Sequence, residues 1–335
     1  MLSVNNRRGW AFVLPKKKSR GAEKQNINSC RGLLFLLSSS MREEKWDYII
    51  ESKRTAFKLD LKSLWDYRYL TFLFFRRDFV ANYKQTVLGP LWFVIQPVLT
   101  TVVFTLIFGK FAGFAPESIP APIFFMSGVV AWNYFADVFS KTSNTFRQNA
   151  NIFGKVFFPR LVVPFSIMFS GIVKFAVQFV ILTLVFLYYY FNDEVQPNWT
   201  FMVMIVPNLI VLGLLAVALG NIFSALTAKY RDFNHLVAFG IQLMMYTTTV
   251  IYPLPKIMEW AKISENAGEI SIQKIIVLSN PITPIMETFR IAFCDFGLEF
   301  MRWDLYGVSW LVTIALLLVS IVIFNKTEQN FMDTV

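Results

Sequence analysis

Side chains that hold metals or act as nucleophiles are scarce in this chain. It has one histidine, His235, and two cysteines, Cys30 and Cys294. Without a CxxC pair or a His-rich tract, neither a metal centre nor a disulfide framework is expected. A lone histidine also falls short of the constellation that an intramembrane enzyme needs. The phosphate-binding loop of nucleotide hydrolases, GxxxxGK[ST], is missing. Gly109-Lys110 and Gly154-Lys155 lack both the upstream glycine and the following Ser or Thr. No dinucleotide-type glycine fingerprint follows a strand. Charge is thin as well, at 16% of residues against about 25% in a soluble domain. These absences speak against a self-contained ATPase and against metal or redox chemistry. The chain reads as a transport component without cofactor or metal, and not as an enzyme.

What the chain has is apolar and aromatic surface. It is 55% hydrophobic and 17% aromatic over 335 residues, the composition of an integral membrane protein. Its net charge of +10 is unevenly spread. Residues 1–87 hold 18 Lys+Arg and 8 Asp+Glu, and the remainder holds 14 of each. A basic segment ahead of the first span is what the positive-inside rule requires. Nucleic-acid binding is the other reading of such a segment, and no nucleic-acid partner is expected here.

Residues 1–40 fit poorly with the rest. They carry Lys16-Lys17-Lys18 and one apolar run of five residues, 33–37, shorter than the roughly 7–15 of a signal-peptide core. Met41 is the expected natural start, and 1–40 a misassigned extension or a disordered tail. Residues 41–89 read as a cytoplasmic segment ending in a helix. Apolar residues at Leu61, Leu64, Trp65, Phe72, Phe75, Phe79 and Tyr83 share one helical face. Because a span follows at once, an interfacial amphipathic helix is favoured over a soluble core helix. Leu88-Gly89-Pro90 then breaks the pattern, as a Gly-Pro pair does where one helix stops and another starts.

Residues 90–335 form the predicted transmembrane domain, with six apolar segments. They run over 91–108, 121–140, 161–190, 201–227, 235–252 and 306–324. Pro97 should kink the first. The third is longer than the hydrocarbon core needs, so it should tilt or extend beyond it. Residues 141–160 carry Lys141, Arg147, Lys155 and Arg160 and no acid, and Lys229 and Arg231 follow the fourth segment. The loop 112–120 has no basic residue, and 191–200 holds Asp193 and Glu194. Both termini are therefore expected inside. Cys30 and Cys294 fall on opposite sides, and Lys110 is left to snorkel at the outer end of the first span. Between segments five and six, 275–296 is apolar but broken by Pro281 and Pro284, so two short re-entrant or interfacial outer helices are expected.

Charged groups inside the spans are few. Asp137 is read as an end-of-helix group. Lys174 faces a cavity or an anion, or it snorkels or meets a partner carbonyl. So few buried acids are thin for ion-coupled transport. Aromatic and hydroxyl side chains are more plentiful. Trp92, Phe93, Gln96, Trp132, Tyr134, Tyr246, Thr247, Thr248, Thr249 and Tyr252 are candidates to line a path for sugar rings, with lipid-facing belt residues as the other reading.

Several blocks resemble the permeases of polysaccharide-export ABC transporters, the membrane subunits that export O-antigen, capsule and teichoic-acid chains. The start is Arg77-Asp78, Tyr83-Lys84-Gln85-Thr86, Leu88-Gly89-Pro90-Leu91-Trp92 and Gln96-Pro97. Phe153-Gly154-Lys155-Val156-Phe157-Phe158-Pro159-Arg160 precedes the third span, and Lys229-Tyr230-Arg231-Asp232 the fifth. Asn280-Pro281, Pro284 and Phe289-Arg290 stand before the sixth, and the tail Glu328 to Val335 carries Phe331 and Asp333. The resemblance covers residues 41–335.

It implies an all-α, six-span permease of the bacterial inner membrane, working as a homodimer with two copies of an ATP-binding subunit. The implied substrate is a polysaccharide, commonly joined through pyrophosphate to a polyprenyl lipid. The helix ahead of the first span becomes a gate helix. Its Arg68, Arg76, Arg77 and Lys84, with Trp65 and Tyr83 beside them, are pyrophosphate partners or else anchors to anionic lipid. The segment with Arg147, Phe153, Lys155, Phe158, Pro159 and Arg160 becomes the coupling element, and Asn280, Pro281, Pro284 and Arg290 belong to outer gate helices. A drug- or lipid-exporting permease of the same superfamily and an ion-coupled lipid-glycan flippase are the alternatives, with an intramembrane glycosyltransferase behind them.

Overall fold

The computed structural model describes residues 65–83, 89–116, 118–156, 158–266, 272–293, 298 and 301–331. The 1–40 extension, Lys84 with the rest of 84–88, both cysteines, Phe157 and the last four residues lie outside the described residues. All regular structure among the described residues is helical.

Helix α1, Arg68–Tyr83, precedes a short 3-10 turn at Gly89–Leu91. Gly89 has φ +49°, a left-handed conformation that glycine adopts without a Cβ penalty. The chain then enters α2, Trp92–Phe104, which carries Pro97 and continues as a π-helical segment over Thr105–Phe111. Helix α3, Ala121–Ser143, opens with a proline in its first turn, where a missing N–H costs nothing. Two single-turn helices follow, α4 Thr145–Gln148 and α5 Ala150–Phe153. Helix α6, Val162–Phe191, has 30 residues.

The fourth apolar segment is split into α7, Trp199–Val203, and α8, Ile205–Lys229. Pro207 explains the break at Met204, because its ring would clash with the carbonyl of Val203 in a continuous helix. The Asn198 side chain caps α7 by accepting from Phe201 N. Helix α9 is Phe233–Thr247, followed by α10, Leu254–Asn266, α11, Ile272–Ser279, α12, Ile282–Phe293, and α13, Trp303–Phe331.

Five of these segments are long and apolar enough to cross a membrane: Trp92–Phe111, Ala121–Ser143, Val162–Phe191, Ile205–Lys229 and Trp303–Glu328. The fifth predicted span differs from expectation. A span is expected over 235–252, but α9 is only 15 residues long, about 22 Å at 1.5 Å per residue. The β-branched run Thr247-Thr248-Thr249-Val250-Ile251 disfavours helix, and the buried guanidinium of Arg290 takes the Thr249 carbonyl at 2.6 Å. Over 275–296 two short helices are found, α11 and α12, and α10 precedes them. Pro281 and Pro284 do not interrupt the last of them. They start it, behind Asn280, whose side chain accepts from Ile282 N at 3.0 Å.

Helix α3 is the most enclosed span, packed between α8, α6, α2 and α12. Close approach depends on glycine. The Tyr134 ring lies against Gly171 of α6 and its hydroxyl against Gly213 of α8, where an added Cβ would stand 2.4 Å from Oη. Every residue of α12 is buried, so this broken segment is a core element, enclosed by α3, α7, α8 and α13.

Candidate coupling junction and translocation face

Of the apolar stripe expected on the N-terminal helix, Trp65 and Phe72 are exposed and Phe75 is half-buried, whereas Leu61, Leu64 and the side chains of Phe79 and Tyr83 lie outside the described residues. Tyr69 and Leu73 are exposed as well, and Arg68 lies over the Tyr69 and Trp65 rings. The opposite face docks, through Phe74, on the segment between α3 and α6. Phe74 packs against Phe158 with ring centroids 5.5 Å apart. Arg77 lies over the Phe74 ring, pairs with Asp78 at 2.8 Å, and donates to Asn149 Oδ1 at 3.1 Å. Asn149 is fixed in turn by its bond to the Thr145 carbonyl. Sequence reasoning missed Asn149, since a short polar residue in a loop carries no periodic signal. Arg76 is exposed.

From Phe158 a run of rings continues through Phe153 and Phe146 to Phe324 of α13, at centroid spacings of 5.8, 5.9 and 4.6 Å. Arg160 fastens this run. It stacks on the Phe153 ring, donates to the Phe153 carbonyl, and reaches the carbonyl and carboxylate of Glu328. Phe153, Phe158, Pro159 and Arg160 are thus buried within the chain. Phe153 and Phe158, which the resemblance places in the coupling element, turn their rings to their own helices. Arg147, Gln148, Asn151, Gly154, Lys155 and Val156 are the exposed ones among the described residues of the segment.

The expected path-lining residues divide sharply. Trp92 is 51% exposed, Gln96 is exposed on the same helix, and Tyr246 is exposed on α9 beside Gln242. Tyr252 is half-buried, and its hydroxyl bonds the Tyr246 carbonyl. Trp132, Tyr134 and Thr248 are buried in the core and line no surface. Their burial follows from α3 being the central helix and from the Thr248 turn lying under α12.

Two charged clusters were only partly legible. Lys174 has an anion, and it is Asp137, at 3.1 Å. Lys141 reaches the other carboxylate oxygen at 2.8 Å, and the Phe93 ring lies 5.0 Å from Lys174 Nζ. Asp137 is therefore a link between α3 and α6, more than an end-of-helix group. The second cluster centres on Arg290, which is 1% exposed. It pairs with Glu287 at 2.9 Å, donates to the Thr249 carbonyl, and stacks 3.9 Å over the Phe124 ring. Gly128 makes room for it. Asn280, Pro281 and Pro284 stand at the start of the same helix. No cluster of potential metal ligands occurs among the described residues.

Comparison with known proteins fits this arrangement. Residues 69–266 match the family described as ABC-2 type transporter. The chain is 27% identical to an O-antigen export system permease protein RfbA of Klebsiella pneumoniae over 264 residues, 77% of this chain and 91% of that protein. A permease of the same name from Myxococcus xanthus is 24% identical over 277 residues, 82% and 98% of the two chains. The family match spans more than half of the sequence and takes in α1 through α10. The chain belongs to the ABC-2 type transporter family, as a multi-pass membrane subunit of a transport system that works with an ATP-binding partner.

Proposed function

We propose that this chain is the permease subunit of an exporter that carries a lipid-linked polysaccharide of the O-antigen kind across the bacterial inner membrane. The observation that carries the reading is the likeness to O-antigen export permeases over 91% or more of their length, together with the chain's lack of a phosphate-binding loop. Exposed aromatic and amide groups on α2 and α9 support a glycan. Sugar rings stack on aromatic faces, and such contacts tolerate sliding along a polymer.

In this reading the chain crosses the membrane six times. The short α9 and the turn after it make the fifth crossing, which is acceptable where irregular backbone is enclosed by protein or lines water. Both termini are cytoplasmic, and two permeases pair with two ATP-binding subunits. Residues 41–89 act as a cytoplasmic gate and 90–335 as the membrane domain. Trp92, Phe93, Gln96, Tyr246 and Tyr252 meet the polymer. Arg68, Arg76 and Lys84 bind its pyrophosphate, while Arg77 is committed to Asp78 and Asn149. Arg147 and Lys155 meet the ATP-binding subunit, and α11 with α12 closes the outer side.

The test is deletion of the gene in its native host. Loss of surface polysaccharide, with lipid-linked chains accumulating on the cytoplasmic side and restored by the intact gene, is expected. Unchanged surface polysaccharide, with altered drug or lipid efflux in its place, would overturn the reading.

A further inference from the structure

Two ammoniums and one carboxylate meet between the long apolar helices α3 and α6. Asp137 accepts from Lys141 through one oxygen and from Lys174 through the other. The cluster therefore keeps one formal positive charge among apolar helices, where an uncompensated charge is costly. Lys141 stands in the last turn of α3, so the carboxyl end of that helix offsets part of its charge. Lys174, midway along α6, has no such offset.

Each ammonium has three donors, and each makes one bond to Asp137. Both stay reachable, with 21% of the Lys174 side chain and 35% of the Lys141 side chain exposed. Two ammoniums on the two oxygens of one carboxylate are near enough to share a single phosphate group. The Phe93 ring covers one side of Lys174 and offers apolar contact beside it.

We propose that Lys174 and Lys141, spaced by Asp137, form a binding site for the phosphate of an amphiphile. Phosphate oxygens accept charge-assisted hydrogen bonds from both ammoniums, and the chain or lipid tail lies along the apolar flanks of α2 and α6. The phosphate belongs to a phospholipid headgroup or to the pyrophosphate of the exported lipid, the second source resting on the function proposed above. Asp137 holds the lysines apart and also repels the anion, which keeps the site releasable.

That dual role gives a test with opposite signs. The purified full chain is titrated with phosphatidylglycerol and, separately, with farnesyl pyrophosphate, and bound ligand is read by native mass spectrometry. Lys174→Gln should weaken binding about tenfold, the worth of one charge-assisted contact. Lys174→Arg should largely retain it, and Asp137→Asn should tighten it severalfold. Loss in the phosphatidylglycerol arm alone assigns the site to headgroups, and loss in the pyrophosphate arm assigns it to the exported lipid. The phosphatidylglycerol arm is independent of what is exported. A thermal melt of each variant separates folding from binding. If Lys174→Gln leaves both affinities unchanged, or Asp137→Asn weakens binding, the cluster only fastens two helices and the proposal falls.

Discussion

Phe74 of the N-terminal helix packs its ring 5.5 Å from that of Phe158, in the segment that joins the second and third spans. This contact fastens the two pieces of chain to each other. The rings of Phe153, Phe146 and Phe324 extend the unit to the last helix.

The polar half of that joint is Arg77 with Asn149. Arg77→Ala and Asn149→Ala should each slow export severalfold in proteoliposomes containing the ATP-binding partner, while basal ATP hydrolysis persists. The double variant should be no slower than either single one, because both changes remove one contact. Additive losses would show that the two residues act separately.

Gly213 and Tyr134 make a second pair open to test. An added Cβ at Gly213 would lie 2.4 Å from Tyr134 Oη and 3.0 Å from Met168 Cγ. Gly213→Ala should destabilise by about 1–3 kcal/mol through overpacking. The Tyr134 hydroxyl is buried without a hydrogen-bond partner, so Tyr134→Phe should be neutral or stabilising. Combining the two should recover part of the glycine defect, measured as thermal stability in detergent.

Much of the architecture was legible because spans announce themselves by length and composition. All five long helices begin and end within a few residues of one of the six apolar runs. The fifth run misled because hydropathy does not register β-branched crowding or an arginine that captures a carbonyl from 41 residues away. The site was legible in part. Charge marked Lys174 and Asp137 as rare groups inside the spans but not as each other's partners, and Asn149, the partner of Arg77, is an ordinary residue until folding brings the two together. Aromatic residues gave the weakest guide. Trp92 and Trp132 look alike in sequence, and only the packing of α3 sends one to the surface and the other to the core.

Arg290 and Glu287 hold the turn after α9 against α3 and α12. Both are buried, so removing one leaves the other charge uncompensated. Arg290→Met should destabilise by about 3–5 kcal/mol, whereas Arg290→Met with Glu287→Gln should be markedly milder. Thermal melts of the four forms complete the cycle. A double variant as unstable as the single one would mean that the bond to Thr249 and the stacking on Phe124, and not the charge pair, carry the effect.

The exposed faces of α2 and α9 carry the last prediction. Both hold uncharged polar residues, Gln96 and Gln242, among exposed apolar neighbours such as Leu99 and Leu243. An amide pointed into hydrocarbon would lose its hydrogen bonds with water. The exposed face of α13, with Val308, Leu311, Ile314, Leu318 and Val319, has no such groups and suits lipid. Cysteines placed one at a time at Gln96, Gln242 and Tyr246, in a chain with Cys30 and Cys294 replaced by serine, should react with a water-soluble maleimide. Cysteines at Leu311 and Leu318 should stay unlabelled in the same membranes. Labelling at Gln96 and Gln242 should rise further when the ATP-binding partner turns over ATP, if these faces border a path that opens during export. Equal labelling of the α13 positions, or none at Gln96 and Gln242 in a stably inserted protein, would place the wet surface elsewhere and leave Trp92 and Tyr246 as residues of the lipid boundary.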